Sequence, residues 1–171
     1  YRYFNSVLNK TGSRNIPIKM PSTTFVSLES RINACKPIII HIRRGDYHSV
    51  KDSIGLLAES YYLRALEKIP NWETKPVWVF TDDELDVRNS FKKIRFDAII
   101  GEQYGITSAE TIKLMSLSEH LIISNSSFSW WAAMFSSQGA KIFCPKKWFK
   151  GMNDPDYLYP DEWVKIESSW I

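Results

Sequence analysis

Short apolar runs rich in β-branched residues, separated by longer segments of helical character, constrain the fold of this chain more than any other feature. The runs are Pro37–Ile42, Val77–Phe80, Asp97–Ile100, Leu121–Ser124 and Lys141–Cys144. Strand-length runs alternating with helix-length segments are the pattern of parallel βαβ units. Between them the sequence predicts a helix over Tyr61–Ile69, with Ser60 as N-cap and Pro70 as its stop. A second covers Glu84–Lys93, capped by Asp82 or Asp83, with acids in the first turn where the helix dipole favours them. A third starts at the Thr107–Glu110 capping box and presents Ile112 and Met115 as its apolar face. A fourth begins near Ser126 or Ser127 and carries Phe128, Trp131 and Phe135 on one side. Four such crossovers predict an α/β, Rossmann-like open parallel sheet with flanking helices. Ligands in such sheets bind beyond the carboxyl ends of the strands.

The remaining segments are less regular. Residues 1–35 read as a linker plus one packing helix around Val26–Ala34, with a polar stretch at Asn9–Asn15, and residues 36–171 as the domain. The tail from Trp148, rich in Pro, Asp and aromatics, is expected to wrap back over the sheet. With 171 residues, 44% of them hydrophobic, the chain can bury one sizeable core. The net charge of +3 is too small to suggest a nucleic-acid surface. Two distant cysteines, Cys35 and Cys144, support neither a disulfide framework nor a zinc site, and are expected to be buried thiols in a reducing compartment. No run approaches the ~20 apolar residues of a membrane span. The first residue is Tyr1, and a chain cut from something longer is expected.

Three strand ends carry chemistry. In PIIIHIRRGD, Pro37–Asp46, an apolar run stops at His41, Arg43, Arg44, Gly45 and Asp46. Guanidinium groups match phosphate oxygens in a bidentate fork and stay charged, so this loop suits a pyrophosphate, with Asp46 orienting one arginine. The competing reading is a surface turn closed by an Arg–Asp salt bridge. The second, SNSSFSWW, places Ser124, Asn125, Ser126, Ser127 and Phe128 where a strand passes into a helix. Free N–H groups and the positive end of the dipole favour an anion there; the competing reading is one capping serine, with Trp130 and Trp131 as core. The third, FTDDE, offers Asp82 and Asp83. A carboxylate can accept from both N1–H and the exocyclic amine of guanine, an edge adenine cannot imitate, and capping of the next helix competes for the same residues. Asp154–Asp156 spells D-x-D, but in a late proline-rich loop, and His41, His48 and His120 lack metal-ligand spacing, so no metal is expected.

The blocks HIRRGDY (41–47), VFTDDE (79–84), LMSLSEHLIISNSSFSWWAAMF (114–135) and CPKKWF (144–149), in this order, resemble the α-1,2-fucosyltransferases of glycosyltransferase family 11. Ala132 stands where the family often has Gly. The resemblance covers residues 36–166 and implies the donor-binding half of a GT-B-like enzyme, residues 1–35 being a linker or a remnant of an acceptor-side lobe. It implies inverting transfer of L-fucose from GDP-β-L-fucose to the 2-hydroxyl of a terminal galactose, with no metal or other cofactor. The implied partners are GDP-fucose and a galactose-terminated glycan, in a bacterial cytoplasmic setting, with a lipid-linked acceptor drawing the enzyme to the inner membrane. Under this reading Arg43 contacts the pyrophosphate and Arg44 supports it or takes a second phosphate contact. Ser126 and Ser127 bind the β-phosphate, while His41 and Asp82 or Asp83 lie near the guanosine. Asp46 and Asp52 are carboxylates available as general base, the absent lobe being the other source. A non-catalytic nucleotide- or glycan-binding module is the alternative. Trp148, Trp163 and Trp170 are candidates for stacking on sugar.

Overall fold

Alternation along β1 (Ile38–Ile42) sets the layers of the molecule, because successive strand side chains point to opposite faces. The computed structural model describes residues 16–155 and 158–171; the polar stretch 9–15 and Asp156 lie outside them. Ile38, Ile40 and Ile42 join one apolar cluster with Tyr61, Tyr62, Ala65 and Leu66 of α2 (Glu59–Leu66) and Val87 of α3 (Glu84–Ser90). Ile39 belongs to the opposite cluster. That cluster holds Phe25, Leu28 and Ile32 of α1 (Thr23–Cys35), Leu114 and Met115 of α4 (Ser108–Ser116), and Ala132, Ala133 and Met134 of α5 (Ser127–Phe135). All five β1 side chains are buried, as a strand covered on both faces requires.

β1 pairs in parallel with β2 (Val77–Thr81) on one side and β4 (His120–Ile122) on the other. β3 (Ala98–Ile100), β5 (Lys141–Pro145) and β6 (Val164–Ile166) complete a six-stranded parallel sheet in the order β3-β2-β1-β4-β5-β6. The chain winds outward from β1 to β3, then crosses back to lay β4 on the other side of β1. That reversal leaves a crevice between the carboxyl ends of β1 and β4, where ligands bind in doubly wound sheets.

Several boundaries depart from the sequence reading for identifiable reasons. α2 stops at Leu66, not Ile69, because the Lys68 and Ile69 N–H groups turn to Ala65 and Leu66, three residues back. Its N-cap is Ala58, without a side-chain bond, rather than Ser60. α3 ends at Ser90 because Phe91 takes extended backbone to enter the core 5.5 Å from the Tyr62 ring, and the Glu59 carboxylate accepts from the freed Lys93 and Ile94 N–H groups. The tail does more than wrap: residues 164–166 form the edge strand β6, in register with Phe143, Cys144 and Pro145. Cys35 is exposed, a correction to the expectation of two buried thiols, because it is the last residue of α1, beyond the Phe25–Leu28–Ile32 stripe. Cys144 is buried, and burial pushes its thiol up to about 12. Trp130 packs against the core, its indole N–H donating to the Leu158 carbonyl, whereas Trp131 is 39% exposed. Trp148 and Trp163 are buried around Tyr159 and so pack rather than present a face to sugar. Among the described residues, no helix is long and apolar enough to cross a membrane.

Candidate active site

A cleft of about 350 Å³ opens at the carboxyl ends of β1, β2 and β3. His41 and Arg43 line it from β1, Thr81 and Asp82 from β2, Gly101 and Glu102 from β3; Ser108 and Thr111 of α4 and Phe128 of α5 close the far side. The cleft therefore lies at the carboxyl edge of the sheet, displaced from the β1–β4 crevice toward β3, and all three expected loops reach it, the serine-rich one through Phe128.

Arg43 is the cation on this wall. Its Nη2 lies 2.7 Å from Asp46 Oδ1, its Nε 3.3 Å from Asp82 Oδ2, and its guanidinium 5.3 Å above the Tyr47 ring. Two carboxylates and an aromatic face hold the fork in one orientation, with a quarter of the side chain still exposed. Asp82 is fixed in turn, because its Oδ1 accepts from the Arg44 backbone N–H at 2.8 Å. Gly45 makes that approach feasible: a Cβ there would run into the Asp82 carboxylate. The R-R-G-D order thus follows from close contact between the β1 and β2 loops.

Arg44 turns the other way. Its side chain is fully buried, with Nε 2.8 Å from Asp86 Oδ2 and its guanidinium 5.0 Å from the Phe91 ring. The angle at that nitrogen is too poor for a hydrogen bond, so the pair is electrostatic contact rather than a directed bond. The side chain does not line the cleft; its backbone N–H positions Asp82 instead. Asp83 also stays out of the cleft: it caps α3, accepting from the Asp86 N–H at 2.9 Å. Asp46 is well exposed and bonded to Arg43, while Asp52 is exposed in the turns that follow, where its carbonyl backs onto Gly151.

The serine-rich junction spans the β1–β4 crevice. His41 Nδ1 and Ser124 Oγ are 2.8 Å apart, a buried bond that either tautomer satisfies, since the hydroxyl can donate or accept. Ser129 Oγ stands behind Ser124 and donates to the Ser126 carbonyl. Burial first, and the Arg43 charge second, lower the His41 pKa to about 3, so the imidazole is neutral at physiological pH. Its ring lies 5.7 Å from that of Phe128, the α5 residue at the cleft. Asn125 is a staple: its Nδ2 is 3.1 Å from each of the Ile54, Gly55 and Trp148 carbonyls, and its own carbonyl accepts from Tyr47 Oη. Ser126 is the buried N-cap of α5 without a side-chain capping bond, and Ser127 is exposed at its first residue. Neither lines the main cleft, which α5 touches through Phe128.

Asp154 of the D-x-D accepts from the Trp148 and Phe149 N–H groups, an arrangement that folds the loop. Among the described residues, no three His, Cys, Asp or Glu side chains converge on a common point. The wall missed by sequence reasoning is the third one, GEQYGITSAE after β3. Its signal was present, since a glycine directly after a strand and a capping box a few residues on mark another strand end facing a helix start.

A parallel sheet with the β3-β2-β1-β4-β5-β6 order, and a polar cleft at its carboxyl edge, defines a doubly wound, Rossmann-like α/β protein. Residues 23–167 match the family model for glycosyl transferase family 11, and the chain belongs to that family. It is 35% identical over 133 residues to the O-antigen biosynthesis glycosyltransferase WbnK of Escherichia coli, covering 74% of this chain and 43% of the relative. It is 30% identical to an alpha-1,2-colitosyltransferase of Escherichia coli, covering 97% of this chain and 59% of the relative. The chain thus spans about half the length of these curated relatives. No solved structure matches it.

Proposed function

We propose that this chain is the donor-binding part of an inverting glycosyltransferase that moves L-fucose from GDP-β-L-fucose to the 2-hydroxyl of a terminal galactose. The observation that carries the reading is Arg43, held between Asp46 and Asp82 on the wall of the strand-end cleft. In the reaction the bond from the sugar anomeric carbon to the β-phosphate oxygen breaks, and its electron pair leaves with GDP. The acceptor oxygen attacks from the opposite face and gives its proton to a base. Negative charge grows on the diphosphate as the sugar becomes oxocarbenium-like, so a cation fixed in advance lowers the barrier more than it tightens ground-state binding. Arg43 fills that role without a metal; EDTA treatment should leave turnover unchanged. Neutral His41, locked against Ser124, offers an uncharged polar edge beside Arg43 for the nucleotide.

Asp46 serves as the arginine's orienting partner, since its bond to Arg43 commits one oxygen. The base comes either from Asp52 or from the part of the enzyme that the relatives possess beyond this chain. The α-1,2 linkage is supported by the name of one relative, whose colitosyl group makes a nucleotide-linked colitose the second donor to consider. Calorimetry with GDP, GDP-fucose and ADP, followed by transfer assays with galactosides, tests the reading. Guanine-selective binding supports it, and equal binding of ADP refutes it.

A further inference from the structure

We propose that Glu102 is the residue that selects the donor's base, by accepting from N1–H and the 2-amino group of guanine. The inference rests on the nucleotide-donor reading above. Two carboxylates line the cleft, Asp82 and Glu102. Reading that guanine edge takes both oxygens of one carboxylate, and those of Asp82 are committed, one to the Arg44 N–H and one to Arg43 Nε. Glu102 is exposed at the end of β3, and among the described residues no cation pairs with it, whereas Glu84, Glu119 and Glu167 each have one.

The surroundings of Glu102 favour a base rather than a phosphate. Ile100 and Ile106 supply apolar walls on the β3 side of the cleft. Thr111 Oγ1 spends its only proton on the Thr107 carbonyl at 3.0 Å, so it can offer a ligand only lone pairs. An apolar slot edged by acceptors suits two adjacent donors. Adenine presents an acceptor at N1 and is repelled; uracil has a single N–H between two carbonyls. Arg43 lies on the β1 side of the same cleft, so base and diphosphate are separated across it, as a nucleotide lying over the strand ends requires.

The test is calorimetry of the protein and its Glu102→Gln variant with GDP and with IDP, which lacks the 2-amino group. The wild type should bind GDP at least tenfold more tightly than IDP. Glu102→Gln, unchanged in melting temperature because the side chain is exposed, should lose about ten- to a hundredfold in GDP affinity, the worth of hydrogen bonds to a charged acceptor, and its GDP-to-IDP ratio should fall near one. A variant that binds GDP as the wild type does, with the ratio intact, overturns the role of Glu102 and leaves the donor reading standing. A wild type that binds neither nucleotide overturns both.

Discussion

Replacing Asn125 with alanine separates a loop staple from a ligand contact. Its amide carries two protons and faces three carbonyls, on Ile54, Gly55 and Trp148, so one proton is shared. Those carbonyls belong to two loops that are otherwise joined by the Lys150 N–H to Ile54 and Gly151 N–H to Ser53 bonds. Each hydrogen bond lost contributes about 1 kcal/mol net, and each buried carbonyl left unpaired adds a desolvation cost of similar size. Two bonds and at least one stranded carbonyl give about 2–4 kcal/mol. For a chain of 171 residues that is a fall in Tm of about 5–15 °C. The assay is urea and thermal unfolding, with GDP titration of the folded variant at low temperature. The staple account expects a clear loss of stability and GDP affinity within a few-fold of wild type. A variant with native Tm that no longer binds GDP would refute it and return Asn125 to the ligand.

Two further outcomes follow from buried or bonded titratable groups. Glu110 accepts from the Ser22 N–H at 2.7 Å and, through its other oxygen, from the Thr107 N–H, tying the start of α1 to the start of α4. These backbone bonds, from Ser22 first, hold its carboxyl down to about 2. Its contribution is therefore present above the ordinary carboxylate range and lost as pH falls toward 2. Glu110→Ala should cost about 2–3 kcal/mol in chemical denaturation at pH 7. His41 has the opposite chemistry but the same direction. The unfolded chain takes up a proton near pH 6.5 while the folded imidazole stays neutral until about 3, so stability falls as pH drops through that window. The slope from one such group approaches ~1.4 kcal/mol per pH unit. Denaturation of wild type between pH 6.5 and 4.5 should be steeper than that of His41→Gln.

The layers were legible because Ile38–Ile42 is β-branched at four of its five positions and too short for a helix, and the capping box at Thr107 and Glu110 is a local bond the chain spells out. The edge strand β6 was not: it has three residues, two of them exposed and one a lysine, and it is a strand only because β5 offers it a ladder. The two arginines are instructive. Carried past the end of β1, the alternation of faces puts Arg43 on the His41 side and Arg44 on the Ile42 side, toward Phe91 and Asp86. The sequence held that distinction, although the reading of Arg44 as a support or a second phosphate contact left it open. The partners of the Asn125 and Asp82 side chains were beyond reach, since they come from loops 23 to 71 residues away.

Arg43→Gln tests the central claim most directly, because it removes the charge and the guanidinium fork while leaving a polar side chain of moderate size. In GDP titrations against wild type, the variant should lose about ten- to a hundredfold in affinity while unfolding at a similar temperature, since the side chain is partly exposed and its ion pairs with Asp46 and Asp82 contribute little to stability. Native GDP affinity in Arg43→Gln would contradict the assignment of this cleft to the donor diphosphate.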